Sequence, residues 1–197
     1  MIDPIAILRS GRCGSSMVAQ VFAEHGVWHG GHMSDEGYPT VTYENRALRD
    51  LVQTEYGGDF LSDIRSIFPI RDKIEDIIKG QGYEDGPWMF KHGAQYYTMW
   101  EEWEPSFIFV KRPLEDILAS YDRCGWLGDR YTPDEVERIV VRSVEVMDSL
   151  DGIEVFSDQL IDGDYSSLEE AFEYCDILFK QSIADAVINP NEWTRND

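Results

Sequence analysis

Ile5-Ala6-Ile7-Leu8-Arg9-Ser10-Gly11-Arg12-Cys13-Gly14-Ser15-Ser16-Met17-Val18 is the stretch that decides how this chain folds. Ile5 to Leu8 is a continuous apolar run, the pattern of a short strand covered on both faces. It stops at a glycine turn, Ser10 to Gly14. From Ser15 to His25 the apolar residues Met17, Val18, Val21 and Phe22 recur at helical spacing, and Gly26 stands where a helix end takes glycine. A buried strand, a glycine turn and a helix form the opening unit of an α/β fold with a mainly parallel sheet flanked by helices.

The alternation continues outward. Residues 28–42 read as a long loop. Tyr43–Tyr56 and Ile64–Lys79 have amphipathic helical spacing and are separated by Gly57-Gly58. Pro87-Trp-Met-Phe-Lys-His92 reads as a second strand, Tyr96–Trp103 as a helix and Ser106-Phe-Ile-Phe-Val-Lys111 as the clearest strand of all. Pro113 opens a helix running to about Tyr121, at a position where its missing N–H costs nothing. Thr132-Pro-Asp-Glu135 is a helix start with a capping threonine and a glutamate three residues on. Ile153–Phe156 reads as a fourth strand and Ser166–Phe179 as a closing helix.

The chain has 197 residues, 43% of them hydrophobic and 28% charged, which is enough to build a core. No linker, repeat or low-complexity tract divides it, so we expect one domain over residues 1–197. Lys plus Arg number 17 and Asp plus Glu 38, for a formal net charge of −21. That balance argues against general binding to nucleic acid or an anionic membrane. It also makes local basic clusters informative, because an anion site must be built against the field of the whole chain. No run approaches the ~20 apolar residues of a membrane span, and Met1 to Leu8 lacks the basic segment of a signal peptide. Cys13, Cys124 and Cys175 are far apart and odd in number, as expected of reduced thiols in a cytoplasmic protein.

Two stretches carry chemistry. The first is the glycine turn. A loop at a strand's carboxyl end that runs into a helix offers free backbone N–H groups and the positive end of a helix dipole to an anion. Ser15 and Ser16 add hydroxyls, and Arg12 adds a fixed charge with a planar fork of donors. The turn departs from the nucleotide loop G-x-x-x-x-G-K-[ST], because no Lys follows Gly14. Cys13 could be activated at a helix start. No Arg follows it to hold a phosphate over the thiol, so it reads as a small loop residue. The second stretch runs from Ser106 to Tyr121. It places Arg112 between strand and helix and Ser120 about two helical turns further on. The alternative for this pair is an Arg bound to Glu115 or Asp116 beside an ordinary helical Ser.

Taken together, the two stretches resemble the donor site of sulfotransferases, whose loop reads [KR]-S-G-T-[TS]. Arg12 falls on the basic position, Cys13 on the Ser, Gly14 on the Gly, and Ser15 and Ser16 on the last two. Arg112 and Ser120 fall on the Arg and Ser of the 3′-phosphate site, at the same spacing. Phe156-Ser-Asp-Gln-Leu160 resembles the segment Y-E-D-L, and Leu168–Phe179 with Ile188-Asn-Pro190 and Trp193 resembles the end of the bacterial-type domain. Cys13 for Ser, Ser15 for Thr and the lack of a C-terminal R-K-G segment are departures.

The resemblance implies a P-loop NTPase-like fold and a donor, 3′-phosphoadenosine 5′-phosphosulfate (PAPS), converted to 3′,5′-ADP (PAP). It implies in-line transfer of the sulfo group to a hydroxyl or amine without a metal. The donor-binding residues it implies are Arg12, Cys13, Gly14, Ser15, Ser16, Met17, Arg112 and Ser120, and the catalytic ones are Arg12, Lys91 and His92. In this role His92 is the general base and Lys91 supports the sulfonate. The other reading of His92 is a strand-end histidine bonded only to its neighbours. His29 and His32 could line the acceptor pocket, and Trp28, Tyr38, Tyr96, Tyr97 or Trp126 could stack on a ring. The acceptor is a small molecule, glycan or peptide, with neutral or cationic ones favoured by the acidity. The alternatives are a P-loop kinase using Mg-ATP and a catalytically inactive nucleotide-binding module of the same fold.

Overall fold

The apolar run at Ile5 becomes the second strand of a four-stranded parallel sheet. The structure, a computed structural model, describes residues 3–30, 42–56, 70–100 and 102–188. In chain order the elements are β1 (Ile5–Arg9), α1 (Ser15–Glu24), α2 (Arg46–Tyr56), α3 (Arg71–Gly80), β2 (Met89–Gly93), a 3₁₀ helix (Ala94–Trp100), β3 (Ser106–Lys111), α4 (Leu114–Arg123), α5 (Pro133–Asp148), β4 (Ile153–Phe156), α6 (Ser157–Ile161), α7 (Ser166–Tyr174) and α8 (Gln181–Val187).

The strand order is β2-β1-β3-β4 and every pairing is parallel. Ile5 lies opposite Met89 and Ser106, and Arg9 opposite Gly93 and Val110. The strands therefore end together, and the turns that follow them crowd one edge. The chain passes from β1 to β2 on one side, then crosses to β3 on the other. That reversal opens a crevice beyond the carboxyl end of β1, where open α/β sheets bind ligands.

Strand alternation divides the core between two layers. Ile5, Ile7, Ile108, Val110 and Val155 pack with Val18 and Phe22 of α1, Ile117 of α4 and Phe172 of α7. Ala6 and Phe90 face the other way, onto Leu48, Ile74, Ile78, Trp88, Trp100 and Trp103. Each fully buried side chain of this size contributes about 1.5–3 kcal/mol by leaving water, enough to fix which face of each helix turns inward.

Local signals set most element ends. The Glu135 N–H donates to Thr132 Oγ1 at 3.3 Å, and the Thr132 N–H donates to the Glu135 carboxylate at 2.8 Å, the capping box expected at α5. The helix expected from Tyr43 starts only at Arg46. Tyr43 has φ 53°, and Asn45 Oδ1 accepts the Leu48 N–H at 3.3 Å, so Asn45 acts as the cap. The helix expected over Tyr96–Trp103 is instead the 3₁₀ helix, in which residues three apart eclipse and bury Tyr96 and Met99 together. The helix expected to reach Phe179 ends at Tyr174. Ile177 N–H bonds Phe172 O and Asp176 N–H bonds Glu173 O around a left-handed Asp176, φ 54°. This is a Schellman ending made without glycine. Residues 64–69 of the second expected helix, His32 and Tyr38 of the long loop, and the Asn-Pro190…Trp193 match lie outside the described residues. Among the described residues, no helix is long and apolar enough to cross a membrane.

Candidate anion-binding site

The glycine turn curls because three of its residues take left-handed backbone: Gly11 (φ 90°), Arg12 (φ 51°) and Gly14 (φ 88°). A Cβ on Gly14 would come within 2.6 Å of the Ser157 Cβ, so that position admits only glycine. Met17 N–H closes the first helical bond, to Gly14 O at 3.0 Å. The N–H groups of Cys13, Gly14, Ser15 and Ser16 have no acceptor among the described residues, and the first turn of α1 holds no acidic side chain. Free amides at a helix start form a cradle for a phosphate or sulfate oxygen. Cys13 and Met17 turn their side chains fully into the core. Cys13 offers the site only its backbone. Met17, expected among the binding residues, offers nothing, since its N–H is already used.

On the β3 side, Arg12 crosses to α4, where its Nε donates to Ser120 Oγ at 3.0 Å. Ser120 is buried at 3% exposure, so this is a fixed partner. The Arg12 guanidinium also stands over Trp126, 5.4 Å from the ring centroid. Arg112 is nearly as buried, with its Nε 3.5 Å from Asp116 Oδ2 and without a hydrogen bond. It lines a pocket of about 260 Å³ shared with Ser10, Lys111, Met147, Phe156 and Asp158. The glycine turn and Arg112 thus meet one edge of the sheet. Ser120, however, takes its hydrogen bond from Arg12, and Arg112 turns to Asp116.

On the β2 side the charges are paired and dry. Lys91, 2% exposed, donates to Ser16 Oγ at 2.8 Å and lies 3.6 Å from Glu44. Arg9 donates to the same carboxylate at 2.6 Å. Burial alone would raise the Glu44 carboxyl, but Arg9 and Lys91 pull it down to about 2. Burial lowers the Lys91 ammonium to about 8 despite Glu44. Burial also holds His92 down at about 3, so the ring is neutral at ordinary pH. Gly93 N–H donates to His92 Nδ1 at 2.8 Å, which leaves the ring proton on Nε2. His92 therefore presents a donor. The base role expected of it does not suit this geometry, because its free nitrogen already carries the proton and the ring resists a second.

No protein-family model matches the sequence, and no curated protein matches it. A solved structure does: the sulfotransferase domain from the Synechococcus PCC 7002 olefin synthase, at 15% identity and a TM-score of 0.54, over 93% of this chain and 77% of that one. The chain has a sulfotransferase-domain fold. At that identity the likeness is one of fold, and the fold is of the P-loop-like kind.

Within this fold, two site residues were not legible in the sequence. Glu44 lies in a stretch that reads as helix, and only its pairing with Arg9 and Lys91 marks it. Gln95 follows β2, is 3% exposed, and has neither amide atom hydrogen-bonded. Of the aromatics considered for stacking, Trp28 packs edge-on to Tyr83 and Tyr96 edge-on to His92, while Trp126 stands beside Arg12. His29 packs against Tyr43.

Proposed function

We propose that this protein is a sulfotransferase that takes the sulfo group from PAPS, releases 3′,5′-ADP, and sulfates a hydroxyl or amine of a small molecule, glycan or peptide. The observation that carries the reading is the contact between Arg12 of the glycine turn and Ser120 of α4. It joins two motifs far apart in the chain into one site, at the crevice where such a fold holds ligands.

In this reading the amides of residues 13–16 and Arg12 hold the phosphosulfate, while Arg112 and Ser120 hold the 3′-phosphate. The sulfur–oxygen bond to the 5′-phosphate breaks as the acceptor oxygen or nitrogen bonds sulfur from the opposite side. Negative charge grows on the departing phosphate oxygen, where preorganised amides and cations stabilise it more than they stabilise the ground state. Lys91 is placed for this task by Ser16 and held charged by Glu44. His92 donates a hydrogen bond through Nε2, and the acceptor's proton passes to the departing phosphate. Loss of the Lys91 proton predicts that kcat/KM falls as pH rises through about 8 and that Lys91→Met removes this limb.

Calorimetric titration tests the donor assignment. Arg112→Ala is expected to weaken 3′,5′-ADP by about tenfold or more and 5′-AMP by less than about threefold, because only the former has the 3′-phosphate. Equal losses refute the assignment. Stabilisation of the wild type by Mg-ATP alone identifies a kinase.

A further inference from the structure

With 38 acidic and 17 basic residues, carboxylates outnumber cations by more than two to one, and a cation without a carboxylate partner is unusual here. Arg9, Arg71, Lys73, Lys79, Lys91, Lys111 and Arg112 all have one. Among the described residues, Arg12, Arg130, Arg138 and Lys180 show no such pair, and the first two of these meet at one side chain. These two stand over the same indole, each with its guanidinium carbon 5.4 Å from the Trp126 centroid. Two like charges are thus held no more than about twice that distance apart, and among the described residues neither forms an ion pair. Such an arrangement is unfavourable until an anion neutralises it.

The turn that carries Trp126 and Arg130 is built to hold this position. Trp126 N–H bonds Tyr121 O at 3.0 Å, Arg130 N–H bonds Trp126 O at 3.0 Å, and Gly128 N–H bonds Tyr131 O at 2.9 Å. Trp126 and Tyr131 both pack edge-on to Tyr121, at 5.6 and 5.5 Å between ring centroids. Tyr121 in turn reaches the glycine turn: a Cβ on Gly11 would lie 2.8 Å from its hydroxyl. Arg130 is exposed, so a ligand can reach it.

We infer that Arg130 is a further anion-binding residue of this site. Arg130 joins Arg112 and Ser120 on the second phosphate of a bisphosphorylated nucleotide, while Arg12, over the same Trp126 ring, holds the first. The nucleotide's identity rests on the sulfotransferase reading; the unpaired cations do not. Trp126 carries both guanidinium groups, and Ser120 of α4 supplies the hydroxyl that meets Arg12.

The test is calorimetric titration of wild type and Arg130→Gln with 3′,5′-ADP, 5′-AMP and inorganic pyrophosphate. Arg130 is exposed, so the variant folds as the wild type does. The expected result is a loss of about tenfold for 3′,5′-ADP and less than about threefold for 5′-AMP. An unchanged 3′,5′-ADP affinity, or equal loss of both nucleotides, overturns the inference and leaves the sulfotransferase reading standing. Binding of pyrophosphate that depends on Arg130, with no binding of either nucleotide, overturns the sulfotransferase reading and keeps Arg130 as an anion-binding residue. Wild type that binds none of the three overturns both.

Discussion

The two sides of β1 handle positive charge in opposite ways. Toward β2, Lys91 is buried and Arg9 half-buried, both share Glu44, and the network is closed by Ser16. Toward β3 and α4, among the described residues, Arg12 meets only a hydroxyl and an indole, and Arg130 only the same indole. The first arrangement is partly neutralised within the chain, one carboxylate against two cations, and acts as a scaffold that holds Lys91 against the glycine turn. The second is left positive in a molecule of net charge −21, which makes it the half that attracts an anion. A cation's function is therefore told less by its residue type than by whether a carboxylate already answers it.

Removing the shared carboxylate strains this contrast most. Glu44→Gln strands the buried Lys91 and the half-buried Arg9 and is expected to lower stability by about 3–5 kcal/mol, read from urea unfolding. A cost as small as that of an exposed ion pair would mean that the β2 side is not a closed network.

Acid acts on the same side. His92 stays neutral in the fold down to about 3, whereas an unfolded histidine takes a proton near 6.5. Glu44 stays ionised down to about 2, against 4.5 for an ordinary glutamate. In both cases the unfolded chain binds more protons, so stability is lost as pH falls, first from 6.5 through His92 and then from 4.5 through Glu44. Unfolding measured across this range in His92→Asn should lose the first part of the decline and keep the second. An unchanged slope above 4.5 would show that His92 is protonated in the folded protein.

The smallest effect is expected on the other side. Arg130→Gln removes an exposed cation from a repulsive pair and should move stability by less than about 0.5 kcal/mol, in either direction. A loss of several kcal/mol would make Arg130 a structural member of the turn and dissolve the contrast between the two halves.

Much of this layout was open to inspection one segment at a time. The strands at Ile5, Ser106 and Ile153, the glycine turn and the Thr132–Glu135 cap all announce themselves within a few residues, because pleat, turn and cap are local interactions. Where another force ruled locally, the reading slipped. Asp176 took the left-handed place that glycine signals, and buried aromatics drew residues 94–100 into a 3₁₀ helix. The base assignment to His92 slipped for a different reason, since its burial and the Gly93 N–H on its Nδ1 come from packing.

By itself the sequence determined a parallel α/β sheet, a phosphate-type cradle after β1, and an Arg–Ser pair after β3. Only the tertiary structure decided which of these groups meet. Arg12 and Ser120 are 108 residues apart, Lys91 and Ser16 75, and Arg9 and Glu44 35. Those meetings follow from the strand order β2-β1-β3-β4, which periodicity does not encode, because any order of the same four strands would bury the same apolar faces.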